Sequence, residues 1–74
     1  MQVGNVVKSL KGHDTGRVYL VVAILDENFV LLCDGKYRKL DNPKQKRIKH
    51  LEFVGEVAPA SELTDSYIRK ICKL

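Results

Sequence analysis

The stretch Arg17-Val18-Tyr19-Leu20-Val21-Val22-Ala23-Ile24-Leu25 constrains this chain more than any other. Read with a period of two, Val18, Leu20, Val22 and Ile24 share one face, and Tyr19, Val21, Ala23 and Leu25 share the other. Both faces are apolar, so the strand belongs inside a sheet with cover on both sides. A helix is the rival for a run this apolar. β-Branching at Val18, Val21, Val22 and Ile24 decides against it, because branched side chains restrict χ1 and suit a pleated surface. The remaining residues must supply partners for two apolar faces.

They have little material to do so. A chain of 74 residues is one domain at most and buries one small core. The longest apolar run, Val18 to Leu25, is too short to span a bilayer. Met1-Gln2-Val3-Gly4 lacks the basic and then apolar pattern of a signal peptide. The expectation is a cytoplasmic protein with no membrane partner. Cys33 and Cys72 stand far apart with no Cys-x-x-Cys pair, and are expected as two free, buried thiols. A zinc site would have to draw on Cys33, Cys72, His13 and His50, which share no ligand spacing. No metal and no other cofactor is expected.

Short β patterns flank the central run. Val3 to Lys8 is β-branched and reads as a first strand, followed by a polar loop over residues 9–16. Asp26-Glu27-Asn28 has the length of a hairpin connection, and Phe29 to Cys33 reads as a third strand. Asp34-Gly35 is a strong hairpin signal, which makes Lys36 to Leu40 the predicted returning strand. Asp41-Asn42-Pro43 breaks the pattern, since proline removes a ladder donor. Lys44 to Arg47 is a basic stretch, and Ile48 to Val57 reads as a last, irregular strand with a bulge or an end at Gly55.

Ala58-Pro59-Ala60 reads as a linker and the tail as a helix. Thr64 suits the N-cap, with Leu63 and Ile68 placed as a hydrophobic staple. Leu63, Tyr67, Ile68, Ile71 and Cys72 form one apolar stripe. Glu62 and Asp65 stand at the start, and Arg69, Lys70 and Lys73 at the end, an order that suits the helix dipole. The expected fold is mainly β: a small five-stranded barrel over residues 1–57, with residues 58–74 as linker and C-terminal α-helix packed on it.

The charge is uneven. Residues 36–50 hold seven bases against one acid, a local +6, while the rest of the chain holds six bases against eight acids. The bases are Lys36, Arg38, Lys39, Lys44, Lys46, Arg47 and Lys49. Such a run is costly in self-repulsion unless something anionic meets it, which points to a polyanionic partner. Tyr37 lies among these bases. A small barrel needs aromatic core mass, so Tyr37 is expected to pack inside; exposed, it could stack on an unpaired base. In the first loop, Lys8, Lys11, His13 and Arg17 surround Gly12 and Gly16. Asp14 departs from that basic character and is expected to cap the turn through a backbone N–H. His13 and His50 stand on basic segments, where a cationic surround lowers an imidazole pKa.

The segments Val3-Gly4-Asn5-Val6-Val7-Lys8-Ser9, Gly12-His13-Asp14-Thr15-Gly16 and Arg17-Val18 together resemble the KOW motif, a strand–glycine-loop–strand unit. Phe29 to Leu40, and Asn42-Pro43-Lys44 through His50-Leu51, add to the resemblance. The whole chain looks like the short KOW-domain RNA-binding proteins, which are similar to KOW-type large-subunit ribosomal proteins. That resemblance implies an SH3-like barrel and binding to structured RNA, ribosomal RNA foremost, through the glycine loop and its flanking bases. It implies a translation- or ribosome-associated role, with ribosomal or transcription-complex proteins as neighbours.

The expected RNA contacts are therefore Lys8, Lys11, Gly12, His13, Gly16 and Arg17 in the loop region. Along the basic segment they are Lys36, Tyr37, Arg38, Lys39, Lys44, Lys46, Arg47, Lys49 and His50. No catalytic residue is expected: the acids fall mostly in predicted turns, Ser9, Ser61 and Ser66 lack a glycine-elbow setting, and no Gly-Lys-Ser/Thr phosphate loop occurs. A barrel this small offers little pocket for a small-molecule substrate. The chain is read as a non-enzyme. The competing class is a protein-binding adaptor using the helix stripe, and a third option is DNA binding through the same charges.

Overall fold

Every strand but one falls where the apolar pattern places it. The computed structural model describes residues 1–56 and 63–73. β1 spans Asn5–Ser9, β2 Val18–Ile24, β3 Phe29–Cys33, β4 Lys44–Arg47 and β5 Leu51–Glu56. A 3₁₀ turn over Ile48–His50 joins β4 to β5, and α1 covers Asp65–Ile71. Val57, the linker 58–60 and Glu62 lie outside the described residues.

Neighbouring strands are antiparallel, in the order β4-β3-β2-β1-β5. The two strands at opposite ends of that order are consecutive in sequence, and three residues span only about 10 Å. The sheet must therefore curl until its edges approach, which gives the small barrel that the strand pattern implied, in the SH3-like form that the KOW resemblance implied.

The period of two then sorts the side chains. Val7, Tyr19, Val21, Val30 and Leu32 point into the barrel, where Ile48 and Leu51 pack on them. Val6, Leu20 and Cys33 point outward and meet Ile68 of α1, with Val18, Val22, Leu40, Leu63, Ile71 and Cys72 around them. The two apolar faces of β2 thus find separate cover, one in the barrel interior and one beneath the helix. The cover ends early: the register shifts between Val21 and Ala23, and Ile24 and Leu25 are exposed.

α1 is short and is held by tertiary contacts. Thr64 caps it by accepting the Tyr67 amide at 3.1 Å, and Leu63 and Ile68 join the same cluster, as the staple requires. Ile68 is fully buried, a contribution of about 1.5–3 kcal/mol for one aliphatic side chain. At the other edge, β5 bulges: Val6 faces Gly55 while Val7 faces Phe53, leaving Val54 extra beside the glycine.

The predicted strand at Lys36–Leu40 does not form. Asp34 Oδ1 accepts the amides of Lys36, Tyr37 and Arg38 at 2.9, 2.9 and 2.8 Å. The amides of Asp34 and Gly35 both donate to the Arg38 carbonyl. One carboxylate thus takes the donors that a strand would have offered to a neighbour, and the segment closes into a knot. Gly35 sits there at φ +79°, and a Cβ on it would run into the Asp65 carbonyl and reach 2.5 Å from the Arg69 amide. α1 therefore lies directly against this knot. The fourth strand is the basic stretch Lys44–Arg47, which carries no apolar alternation and pairs with β3 at the sheet edge. Lysine on an exposed edge discourages further strand pairing.

Candidate nucleic-acid interface

The glycine loop is closed by backbone geometry. Gly12 and Gly16 adopt φ +89° and +90°, a region that side chains disfavour. Ser9 exchanges backbone bonds across the loop base, donating to Arg17 O and accepting from Gly16 N. The Leu10 amide donates to the His50 carbonyl, tying the loop to the 3₁₀ turn.

Asp14 locks this arrangement. Its carboxylate is buried and accepts from Ser9 Oγ at 2.8 Å and Tyr19 Oη at 3.2 Å. Lys46 Nζ and Lys44 Nζ each approach it to 3.0 Å. Asp14 therefore bonds to side chains rather than to the backbone N–H expected of a turn cap. Burial alone would push its carboxyl pKa up, but the bonds from Lys44, Lys46 and Ser9 outweigh burial and hold it well below the usual carboxylate range. Burial, and then the Asp14 charge, push the Tyr19 hydroxyl up to about 12.

Lys46 has a second role, donating to the Lys11 carbonyl at 2.7 Å. The basic strand and the glycine loop, separate in sequence, thereby become one surface. Lys11, His13, Arg47 and Lys49 are exposed, with the Arg47 guanidinium 5.1 Å from the Phe29 ring centre. The His50 imidazole pKa is lowered, first by desolvation and then by Lys11, Lys49, Lys46 and Arg47. Lys44 and Lys46 are largely committed to Asp14. Two positive charges against one negative leave this cluster a net single charge.

A second basic group lies beyond Gly16 and Arg17. Tyr37 does not pack inside the barrel; it is 65% exposed, because the knot at Asp34 turns it outward and Tyr19 supplies the interior ring. The Arg17 guanidinium lies 5.0 Å and Lys36 Nζ 5.1 Å from its ring centre. Cation–π contacts at such exposure contribute about 0.5–1 kcal/mol each. A groove of about 400 Å³ is lined by Gly16, Arg17, Asp34, Lys36 and Tyr37 together with Arg69 and Lys73 of the C-terminal segment. Lys70 joins Lys36, Arg69 and Lys73 around an adjoining hollow. Among the described residues, ion pairs are confined to Asp14, so these cations have no carboxylate partner there. Lys8 and Lys39 are exposed elsewhere, and Arg38 is half-buried.

No protein-family profile matches the chain. The large ribosomal subunit protein eL14 of Staphylothermus marinus, a KOW-type protein, is 33% identical over 63 residues, which cover 82% of this chain. The chain is KOW-like. The match spans 64% of that relative's length.

In this KOW-like chain the glycine loop touches both basic groups: Lys11 and Asp14 contact β4, and Gly16 and Arg17 border the Tyr37 groove. Sequence reasoning missed two parts of the arrangement. It treated Asp14 as a local cap, and it assigned Arg69, Lys70 and Lys73 only to the helix dipole. The four-residue spacing of Arg69 and Lys73, which would put both on one face of a helix continued through the tail, is the signal that was available. Cys33 is buried as expected, whereas Cys72 is only half-buried beside the groove; both are free thiols.

Proposed function

We propose that this chain is a ribosome-associated RNA-binding module, acting in the cytoplasm on structured RNA and foremost on ribosomal RNA. The observation that carries the reading is the link from Lys46 to Asp14 and to the Lys11 carbonyl, which fuses two basic segments beside a glycine loop. Ammonium and guanidinium groups in that arrangement suit a sugar–phosphate chain, whose contacts supply most of the affinity without reading sequence. The relative's name, a large-subunit ribosomal protein, supports ribosomal RNA and neighbouring ribosomal proteins as partners, and a binding rather than an enzymatic role.

The roles of the cations divide. Lys44 and Lys46 position the loop, while Lys11, His13, Arg47 and Lys49 meet phosphates. The adaptor alternative needs a free apolar stripe on α1. Ile68 is buried, however, and Leu63, Ile71 and Cys72 pack on the outer sheet face.

The test is the salt dependence of binding to a structured RNA hairpin. A Lys11→Ala, Arg47→Ala, Lys49→Ala triple variant leaves the Asp14 cluster intact. Each lost phosphate contact reduces the slope of log K against log salt by about 0.9 for a duplex, so a fall of roughly 2–3 is expected. An unchanged slope would remove this surface from the interface. Equal competition by duplex DNA at fixed salt would favour DNA binding instead.

A further inference from the structure

We infer that the groove between Tyr37 and the C-terminal end of α1 takes one unpaired nucleotide, its base stacked on Tyr37 and its phosphate held by Arg69 and Lys73. This rests on the RNA-binding reading above and adds a site selective for single-stranded RNA.

Four observations converge on it. Tyr37 is 65% exposed, in a protein too small to spare aromatic surface without use, and its ring is attended by Arg17 at 5.0 Å and Lys36 at 5.1 Å. Its backbone is fixed, because its own amide donates to Asp34 Oδ1 within the knot, so little order is lost on stacking. The helix side of the groove is fixed to the same knot. α1 lies against Gly35, Asp65 Oδ1 accepts the Leu40 amide at 2.8 Å, and Ile68 anchors the helix to the sheet. The volume of about 400 Å³ falls within the roughly 300–1,000 Å³ of small-ligand sites.

The chemistry selects the ligand. Arg17, Lys36, Arg69 and Lys73 line the groove with no carboxylate paired to them among the described residues. Asp34 also lines it, but its Oδ1 is engaged by three amides. A cationic groove with one exposed ring fits a phosphate and a planar base together. Bases in a duplex have no free face to offer, so the groove favours loops, bulges and single strands.

The experiment uses the full chain with two RNAs at one salt concentration, a mixed-sequence single-stranded octamer and a blunt-ended duplex of the same length. Tyr37→Ala is expected to weaken the single strand roughly five- to a hundredfold and the duplex less than twofold, and Tyr37→Phe to keep single-strand binding. Arg69→Ala with Lys73→Ala removes one phosphate contact and is expected to lower the single-strand salt slope by about 0.7. Equal losses on both RNAs, or a silent Tyr37→Ala, would overturn the groove while leaving general RNA binding in place. A poly-glutamate peptide that competes as well as the single strand would also overturn it, making the groove a protein site. Wild-type protein that binds neither RNA would overturn both readings.

Discussion

The ammonium of Lys46 lies 3.0 Å from the carboxylate of Asp14, although 32 positions separate them in the chain. The pair joins the glycine loop to the edge strand β4, and Lys46 is 12% exposed at its side chain, well sheltered for a lysine. Asp14→Ala would leave the Ser9 and Tyr19 hydroxyls and Lys46 without their shared acceptor. Expected destabilisation is about 2–3 kcal/mol in urea unfolding. Lys44 is more exposed, so Lys44→Ala should cost no more than about 1 kcal/mol. Equal effects of the two would show that Asp14 is not the buried hub.

Acid should unfold the protein partly through this same group. The folded-state pKa of Asp14 is depressed below its ordinary 3.8, so its stabilisation is complete above the unfolded value and is lost as pH falls through the folded one. The expected window runs from about pH 4–5 downward. Asp14→Asn should flatten the stability profile there. A variant that keeps the wild-type slope in that window would remove Asp14 as its source.

Two glycines should respond differently to the same substitution. Gly16→Ala meets only the backbone strain of φ +90°, since nothing lies within 4 Å of the new Cβ. The expected cost is about 1–2 kcal/mol. Gly35→Ala adds a collision with the backbone of α1, which raises it to about 2–4 kcal/mol. It should also shift the backbone NMR signals of residues 65–71. Similar melting temperatures for the two variants would contradict the docking of α1 on the knot.

His50 reports the potential of the loop–β4 surface. Its imidazole should titrate below the ordinary 6.5 by NMR, through desolvation and then Lys11, Lys49, Lys46 and Arg47. Salt screens the charges but not the desolvation. The midpoint should therefore rise part of the way toward 6.5 as salt is added. A salt-independent midpoint would mean that these cations do not surround it.

Much of the strand pattern is legible because it depends on neighbours in sequence. Val18 to Ile24 declares itself by branching and by alternation, and Thr64 with Leu63 and Ile68 declares the start of α1. The glycine loop is legible for the same reason, since Gly12 and Gly16 are needed by their own backbone angles. The failures share a cause. Asp34-Gly35 looks like a hairpin turn until the Asp34 carboxylate captures three amides, and the basic stretch Lys44–Arg47 shows no apolar alternation, so its pairing becomes visible only where β3 lends it a ladder.

The linear chain determined that β2 is central, that a capped amphipathic helix follows, and that positive charge crowds into residues 36–50. Short-range sterics and local periodicity suffice for each of these. Only the folded arrangement decided that Asp14 engages two lysines in holding the loop, that Tyr37 faces water, and that Arg69 and Lys73 line the same groove. Those outcomes depend on distances between residues remote in sequence, which closing the sheet and docking α1 bring about, and no local pattern encodes such distances.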